Sequence, residues 1–289
     1  MTSLDKTTQP QISGLAKVWQ RTPVFLKAIS MIALVGIVGA NGISVLSIAL
    51  PMPVSLIAML AYLFLYWKFF SGSWGPKNSA ETRKQYFRSG TLSPTLWKWS
   101  LILAALIVVV FQSSLVVTFR LITFPAENFL QDFGFESQPL WIAWVSIIIV
   151  AISAGLTEES GFRGYGMVPL QKRYGPIVAN LIISAIFVLF HLNQAWAPPL
   201  LLPLFITSFM LGQIAYTTDS LLPGIIAHTV LDVFNFSYWW TDVAGKFEYQ
   251  PIGITGVDAH FLVWSVIFAA SLALFLWGLG KVKAVRLQS

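Results

Sequence analysis

The feature that most constrains this chain is a series of long apolar stretches that hold few charges. A helix that spans a bilayer needs about 20 mainly apolar residues, and eight stretches of the sequence approach or exceed this length. The chain is 56% hydrophobic and 10% charged, whereas a soluble domain carries roughly 25% charged residues. The sequence therefore predicts an all-α, polytopic membrane protein with about eight transmembrane helices.

The predicted spans follow one another without an intervening soluble domain. Pro51 and Pro53 divide the first apolar run into two spans. The spans lie at about 28–50, 54–71, 99–119, 139–170, 175–192, 199–216, 222–240 and 260–280. We expect a cytoplasmic N-terminal tail over 1–27, one transmembrane domain over 28–280 with its functional core at about 139–240, and a cytoplasmic tail over 281–289.

The charges between the spans indicate the orientation. If both termini are cytoplasmic, nearly every Lys and Arg falls on the inner side, and only Arg120 and Lys246 fall outside. The outer connectors instead carry the acidic residues Glu127, Asp132, Glu136, Asp242, Glu248 and Asp258. This is the positive-inside bias. We therefore expect a multi-pass protein of a prokaryotic plasma membrane, whose net charge of +6 reflects loop orientation and not nucleic-acid binding.

Ionisable side chains lie inside the fourth and fifth apolar stretches, where each costs at least ~2.5 kcal/mol and marks a functional site by default. They are Glu158, Glu159, Arg163 and His191. Glu158 and His191 are equidistant in sequence from the polar turn at 172–176. In a helical hairpin, residues equidistant from the turn lie at the same level. We therefore expect Glu158 and His191 to face each other.

The seventh predicted span carries a second polar set. His228, Asp232 and Asn235 are spaced by four and three residues, which places them on one helical face. This set begins close to the inner end of its span, so a protruding or tilted hairpin would bring it level with Glu158 and His191. We predict an active site between predicted helices 4, 5 and 7.

The two adjacent glutamates are expected to have different roles. Glu159 and Arg163 are spaced i, i+4 and form a favourable ion pair on a helix. Glu158 points about 100° away from Glu159. We therefore expect Glu159 and Arg163 to be structural and Glu158 to face the histidines. The nearby small residues that would let helices approach closely are Gly155, Gly161, Gly164 and Gly166.

Two chemistries fit these side chains. A glutamate in an apolar site can take a proton from water, with His191 sharing the water and His228 and Asn235 donating to a developing oxyanion. Alternatively, Glu158, His191, His228 and Asp232 could bind a divalent metal such as zinc, which would activate the water. The chain has no cysteine, which excludes disulfides, thiolate metal sites and a cysteine nucleophile.

Three motifs follow one another on successive apolar segments: Glu158-Glu159-x-x-x-Arg163, Phe187-x-x-x-His191 and His228-x-x-x-Asp232. In this order they resemble the motifs of the CAAX protease and bacteriocin-processing (CPBP, or Abi) family. The resemblance spans about residues 151–235 and implies an intramembrane peptidase, a class that includes enzymes removing the last three residues of prenylated proteins. It also implies that Glu158 and His191 activate the water.

By the same resemblance, His228 and the last motif residue would stabilise the oxyanion. The prenyl-protein enzymes have Asn at this last position, whereas this chain has Asp232. An ionised Asp cannot donate a hydrogen bond. Asp232 would have to be protonated, orient His228 or bind a metal.

We therefore predict an intramembrane endopeptidase that cleaves a membrane-associated peptide, including a lipidated one. It would need no cofactor unless the metal-dependent alternative holds, and its partners would be the lipid bilayer and the peptide or lipidated-protein substrate, with no nucleic acid and no prediction of oligomeric state. One alternative is a non-proteolytic immunity or scaffold factor that binds a peptide without cutting it. Another is a proton-coupled transporter, against which the absence of an inverted repeat counts.

Overall fold

A computed structural model describes residues 14–130, 135, 138–192 and 197–287 of the chain. The first half contains α1 (Gly14–Arg21), α2 (Val24–Met31), the π turn π1 (Ile32–Ile37), α3 (Val38–Ala49), α4 (Val54–Phe70), α5 (Ala80–Tyr86), α6 (Pro94–Leu121) and α7 (Ala126–Phe129). The second half contains α8 (Leu140–Glu159), the π turn π2 (Ser160–Gly166), α9 (Met167–Tyr174), α10 (Pro176–Phe190), α11 (Ala197–Thr218), α12 (Leu222–Phe234), the π turn π3 (Asn235–Trp239), α13 (Ile252–Thr255) and α14 (Ala259–Arg286).

These helices confirm the all-α, polytopic membrane class. Each of the eight predicted spans is helical along most of its length. The segments long and apolar enough to cross a membrane are Val24–Ala49, Pro94–Leu121, Leu140–Tyr174, Pro198–Thr218 and Ala259–Arg286, and Val54–Phe70 and Pro176–Phe190 are shorter apolar helices. Asp132, Glu136 and the first 13 residues of the predicted N-terminal tail lie outside the described residues.

The fourth predicted helix continues past the two glutamates to the hairpin turn, as the sequence indicates. Gly175 has a φ of +78°, a left-handed conformation that favours glycine, and it reverses the chain between α9 and α10. The last helix differs from the prediction, because α14 extends through Arg286 and includes most of the predicted tail. Arg286 Nη1 donates to the carbonyl oxygens of Tyr216 and Thr217, at 2.9 and 2.6 Å, which anchors this extension to α11.

One end of the bundle carries the basic loops, and we call it the basic end. It comprises residues 71–93, the turn at 172–175 and the turn at 219–221. Side chains tie these segments together, since Lys172 Nζ donates to Gln85 Oε1 at 3.2 Å. At the opposite end, the buried Arg120 at the end of α6 pairs with Asp258 at 2.7 Å before α14. The charge asymmetry predicted from the sequence therefore separates the two ends of the folded bundle.

Glycines allow the helices around the predicted site to approach closely. A Cβ on Gly155 of α8 would lie 2.4 Å from Thr229 Oγ1 and 2.9 Å from the carbonyl oxygen of Ile225 on α12. A Cβ on Gly161 of π2 would lie 2.9 Å from the backbone of Gly36 in π1. The small residues noted in the sequence therefore lie at helix contacts, as expected for membrane bundles.

We expect Gly155→Ala to force α8 and α12 apart, because the added methyl group meets the backbone of α12. Overpacking of this kind costs about 1–3 kcal/mol. Thermal unfolding in detergent should show a lower Tm for Gly155→Ala than for the wild type. Gly280→Ala is the matched control, since a Cβ at Gly280 meets nothing within 4 Å. Equal Tm values for the two variants would contradict the close contact.

Candidate active site

The predicted site residues converge on one cavity of about 140 Å³. Glu158 comes from α8, His191 follows α10, and His228 and Asp232 come from α12, with Asn235 at the start of π3. These are the fourth, fifth and seventh predicted helices. The remaining lining is mainly apolar: Phe111, Leu115, Phe129, Ala154, Phe187, Leu200, Leu204, Thr207, Ser208, Leu211, Leu231, Phe236 and Trp240.

His228 lies between three carboxylates. Its Nδ1 is 2.8 Å from Glu159 Oε1, while its Nε2 is 3.4 Å from Asp232 Oδ2 and 3.8 Å from Glu158 Oε2. An ionised carboxylate can only accept a hydrogen bond, so Nδ1 carries a proton and donates a hydrogen bond to Glu159. The contacts of Nε2 are long by comparison. In the doubly protonated ring, whose charge the surrounding carboxylates can balance, Nε2 also carries a proton and can donate a hydrogen bond to an acceptor that enters the cavity.

Glu159 and Arg163 form the predicted ion pair, with 2.7 Å between Arg163 Nη1 and Glu159 Oε1. Both side chains are completely buried. Arg163 Nη2 also donates to the carbonyl oxygen and the Oγ of Ser208 on α11, at 3.1 and 2.8 Å. A buried ion pair needs such additional hydrogen bonds to offset the loss of hydration.

The predicted separation of roles between Glu158 and Glu159 was incomplete. Glu158 approaches His228, as expected, but Glu159 makes the shorter contact with the same ring. The long, flexible side chains of glutamate allow adjacent residues to converge on one imidazole, although their Cα–Cβ directions differ by about 100°. Glu159 therefore joins the arginine to the histidine.

Glu158 is the accessible member of the two glutamates. Its side chain is 26% exposed, whereas that of Glu159 is 0% exposed. The Oε2 atom of Glu158 is itself buried and has no hydrogen-bond partner among the described residues. The cavity beside it greatly exceeds the ~10–15 Å³ that one water molecule requires, so this oxygen can accept a hydrogen bond from water.

His191 is held by its own helix. Its Nδ1 is 2.7 Å from the carbonyl oxygen of Phe187, and its ring stacks on that of Phe187 with 4.4 Å between centroids. Because a carbonyl oxygen can only accept, Nδ1 must be the protonated nitrogen. In the neutral ring, Nε2 is then an acceptor that can receive a proton.

Asp232 and Asn235 belong to a chain of hydrogen bonds that continues through Gln112 to Trp239. The sequence analysis did not predict these last two members. Asn235 Nδ2 donates to Asp232 Oδ1 at 3.3 Å, and Gln112 Nε2 donates to Asn235 Oδ1 at 3.2 Å. Trp239 Nε1 donates to Gln112 Oε1 at 2.7 Å. One amide proton of Asn235 is thus committed to Asp232. Gln112 is an amide within the third apolar stretch, and this polarity was the signal that could have identified it.

Thr207 on α11 was also missed. It lines the cavity, is 6% exposed, and its Oγ1 has no hydrogen-bond partner among the described residues. In the sequence it resembles any other threonine of an apolar helix, where the hydroxyl usually bonds its own backbone. Only the packing of α11 against the cavity distinguishes it.

The metal alternative requires at least three ligands directed at one point. Among the residues that the structure describes, no group of three or more His, Cys, Asp or Glu side chains is arranged to hold a metal ion. His228 Nδ1 and His191 Nδ1 are both engaged within the protein, by Glu159 and by the carbonyl oxygen of Phe187. In such an arrangement Nε2 is the nitrogen that would bind a metal, so the metal-dependent alternative stays a prediction.

We expect Glu159→Gln to destabilise the protein, because it leaves the Arg163 charge buried without a countercharge. Breaking one side of a buried pair costs about 3–5 kcal/mol, which thermal unfolding in detergent should show as a lower Tm. The double variant Glu159→Gln/Arg163→Met should lose less than the sum of the single variants. Glu81→Gln is the control, since its pair with Lys84 is solvent-exposed and such pairs contribute about 1 kcal/mol or less. Similar losses at residues 81 and 159 would contradict this account.

A comparison with protein families matches the part of the chain that holds this cavity's motif residues. The family model described as "Type II CAAX prenyl endopeptidase Rce1-like" matches residues 139–234, which include Glu158, His191, His228 and Asp232. Searches of curated proteins and of solved structures found no significant match. Residues 139–234, about a third of the chain, are therefore similar to this family of CAAX prenyl endopeptidases, which agrees with the resemblance seen in the sequence motifs.

Proposed function

We propose that this intramembrane endopeptidase uses Glu158 and His191 to activate the water that cleaves a membrane-associated peptide. The observation that carries the proposal is the cavity itself, which brings an accessible glutamate together with two histidines. The cavity is otherwise mainly apolar, so electrostatic interactions within it are stronger than in water. The match of residues 139–234 to the family model supports peptide hydrolysis, and the geometry supports these residues for it.

Glu158 is proposed as the general base. Its unpartnered Oε2 takes a proton from the water as the water oxygen forms a bond to the carbonyl carbon of the substrate. His191, with Nδ1 on the carbonyl of Phe187, can accept a hydrogen bond from the same water through Nε2. The proton held by Glu158 then passes to the amide nitrogen, the carbon–nitrogen bond breaks, and a carboxylic acid and an amine leave.

His228 is proposed to stabilise the oxyanion. Its Nδ1 is held by Glu159 at 2.8 Å, while Nε2 lies 3.4 Å from Asp232 Oδ2 and 3.8 Å from Glu158 Oε2. In the doubly protonated ring, the Nε2 N–H can therefore donate a hydrogen bond to a closer acceptor, such as the oxyanion of the tetrahedral intermediate. The fixed ring needs little reorganisation during the reaction.

Asp232 is proposed to orient His228. It can accept from Asn235 and lies 3.4 Å from His228 Nε2. An ionised Asp232 satisfies both contacts, whereas donation to an oxyanion would require a protonated one. The Asp at the last motif position thus has a role compatible with its charge.

The location of the site supports the proposed substrate class. The cavity opens among membrane helices, and the turns that precede α10 and α12 belong to the basic end. If the basic end faces the cytoplasm, in accordance with the positive-inside bias, both termini are cytoplasmic. The peptide would then reach the cavity from the inner leaflet, and a lipid attached to it would increase its local concentration there.

We expect Glu158→Gln to abolish cleavage, because Gln keeps the shape of the side chain but cannot act as a base. General-base catalysis contributes about 10²–10⁴-fold to the rate, so kcat should fall by about 10²-fold or more. The assay is mass spectrometry of a library of membrane-tethered peptides incubated with the purified protein in liposomes. Wild type and variant are each compared with and without a strong chelator.

Glu127→Gln is the matched control, since Glu127 is exposed and lies at the end opposite the basic end. Loss of cleavage in Glu158→Gln, without an effect of chelator on the wild type, would support the glutamate mechanism. Loss of wild-type cleavage with chelator would instead support the metal-dependent alternative. Binding of a peptide without its cleavage would favour the immunity or scaffold alternative, and net proton flux would favour a transporter.

A further inference from the structure

We infer that Arg88, which lies outside the catalytic cavity, is a positioning residue for this peptidase. Arg88 belongs to residues 86–90, the last residue of α5 and the first part of its connection to α6, which we call the Arg88 loop. The inference rests on the proposed function, because it concerns how Glu159 and His228 are held. It adds a residue from outside both the three motifs and residues 139–234.

The Arg88 guanidinium joins three separate parts of the bundle. Its Nε donates to the carbonyl oxygen of Arg163 in π2 at 3.0 Å, and its Nη1 donates to Asp219 Oδ1 at 3.2 Å. Its Nη2 donates to Gln171 Oε1 on α9. The side chain is only 4% exposed. One planar cation therefore bonds π2, α9 and the turn at 219–221, and it fixes these three segments relative to one another.

The backbone of the Arg88 loop is as constrained as its side chain. Arg88 and Asp219 have φ values of +49° and +52°, which non-glycine residues rarely adopt and which persist only where surrounding contacts enforce them. The backbone N–H of Gly90 donates to the carbonyl oxygen of Asp219 at 3.2 Å. Ser89 and Ser220 form an antiparallel bridge. The loop is thus joined to the beginning of α12 by main-chain and side-chain bonds.

The same loop contacts the π turn directly. In π2 the hydrogen-bond pattern changes from i→i−4 to i→i−5, and the N–H of Met167 donates to the carbonyl oxygen of Phe162. A Cβ on Gly164 would lie 2.7 Å from the carbonyl oxygen of Tyr86. The Arg88 loop therefore packs against the backbone of π2, beside the carbonyl of Arg163 that Arg88 binds.

Two sets of contacts connect Arg88 to the His228 ring. On one side, Arg163 bonds Glu159 at 2.7 Å, and Glu159 bonds His228 at 2.8 Å. On the other side, His228 is carried by α12, whose preceding turn contains Asp219. Both partners of the Glu159–His228 hydrogen bond are therefore attached to elements that Arg88 holds. Loss of Arg88 should loosen this hydrogen bond while the cavity residues themselves remain unchanged.

The protein offers a close control in Arg83. It is also a buried arginine of the basic end, since 6% of the whole residue is exposed, against 5% of the whole residue for Arg88. Its hydrogen bonds go to the carbonyl oxygens of Phe69, Trp74 and Pro76, none of which belongs to π2 or α12. If activity fell only because a buried arginine had been removed from this end, Arg83→Ala and Arg88→Ala would show similar losses of activity.

The experiment compares wild type, Arg88→Ala, Arg88→Lys and Arg83→Ala in liposomes. Steady-state kinetics use a membrane-tethered peptide that the wild type cleaves. Hydrogen–deuterium exchange, which does not depend on activity, follows the amides of residues 160–168 and compares them with those of α14. Arg88→Lys keeps the charge but not the planar fork, and it tests the geometry if Arg88→Ala does not fold.

We expect Arg88→Ala to lower kcat by at least about 10-fold with KM unchanged, because small misplacements at a catalytic centre can cost about 10²-fold. Exchange should increase at residues 160–168 and stay constant in α14. Arg88→Lys should show the same pattern to a smaller degree. Arg83→Ala should keep the wild-type kcat and the wild-type exchange at residues 160–168.

Three outcomes would overturn the inference: wild-type exchange and kcat in Arg88→Ala, equal losses in Arg83→Ala and Arg88→Ala, or a rise in exchange throughout the helices. If the wild type cleaves no peptide, the proposed function fails. Exchange at residues 160–168 then still decides whether Arg88 holds the π turn.

Discussion

The site depends on one carboxylate oxygen. Glu159 Oε1 accepts from Arg163 at 2.7 Å and from His228 at 2.8 Å, and it is buried in a bundle where each unpaired charge would be costly. Because the oxygen serves two donors, the requirement to neutralise Arg163 and the requirement to orient His228 are met by the same side chain. The side chains of Glu158, Asp232 and Asn235 are arranged around the His228 ring, and this oxygen determines the orientation of that ring.

Much of the arrangement could be predicted from the sequence. Helical periodicity placed His228 and Asp232 on one face, and the position of the hairpin turn placed Glu158 opposite His191, because both arguments use only local geometry. The cavity contains all four residues. The predicted ion pair of Glu159 and Arg163 also formed, since an i, i+4 spacing leaves few other options for two buried charges.

The contacts that sequence reasoning missed all join residues distant in the chain. Gln112 bonds Asn235 across helices, and Arg88 bonds the carbonyl of Arg163. The π turn at Ser160–Gly166 was also not predicted, because a π turn has the composition of an ordinary helix and differs only by one residue in its hydrogen bonding. It follows Glu159 directly and shifts the direction in which Arg163 points. Such contacts depend on how helices pack, which periodicity alone does not determine.

The ion pair within one helix has a consequence for how the protein enters its membrane. Helices of membrane proteins insert individually before they associate. Glu159 and Arg163 lie four residues apart on one continuous helical arm, so this pair of charges can be neutralised before α11 and α12 have been synthesised. The hairpin then enters the lipid with these two charges already paired. Ser208 and His228 arrive later and meet a preformed donor in Arg163 and a preformed acceptor in Glu159, so the ion pair can guide how the later helices pack.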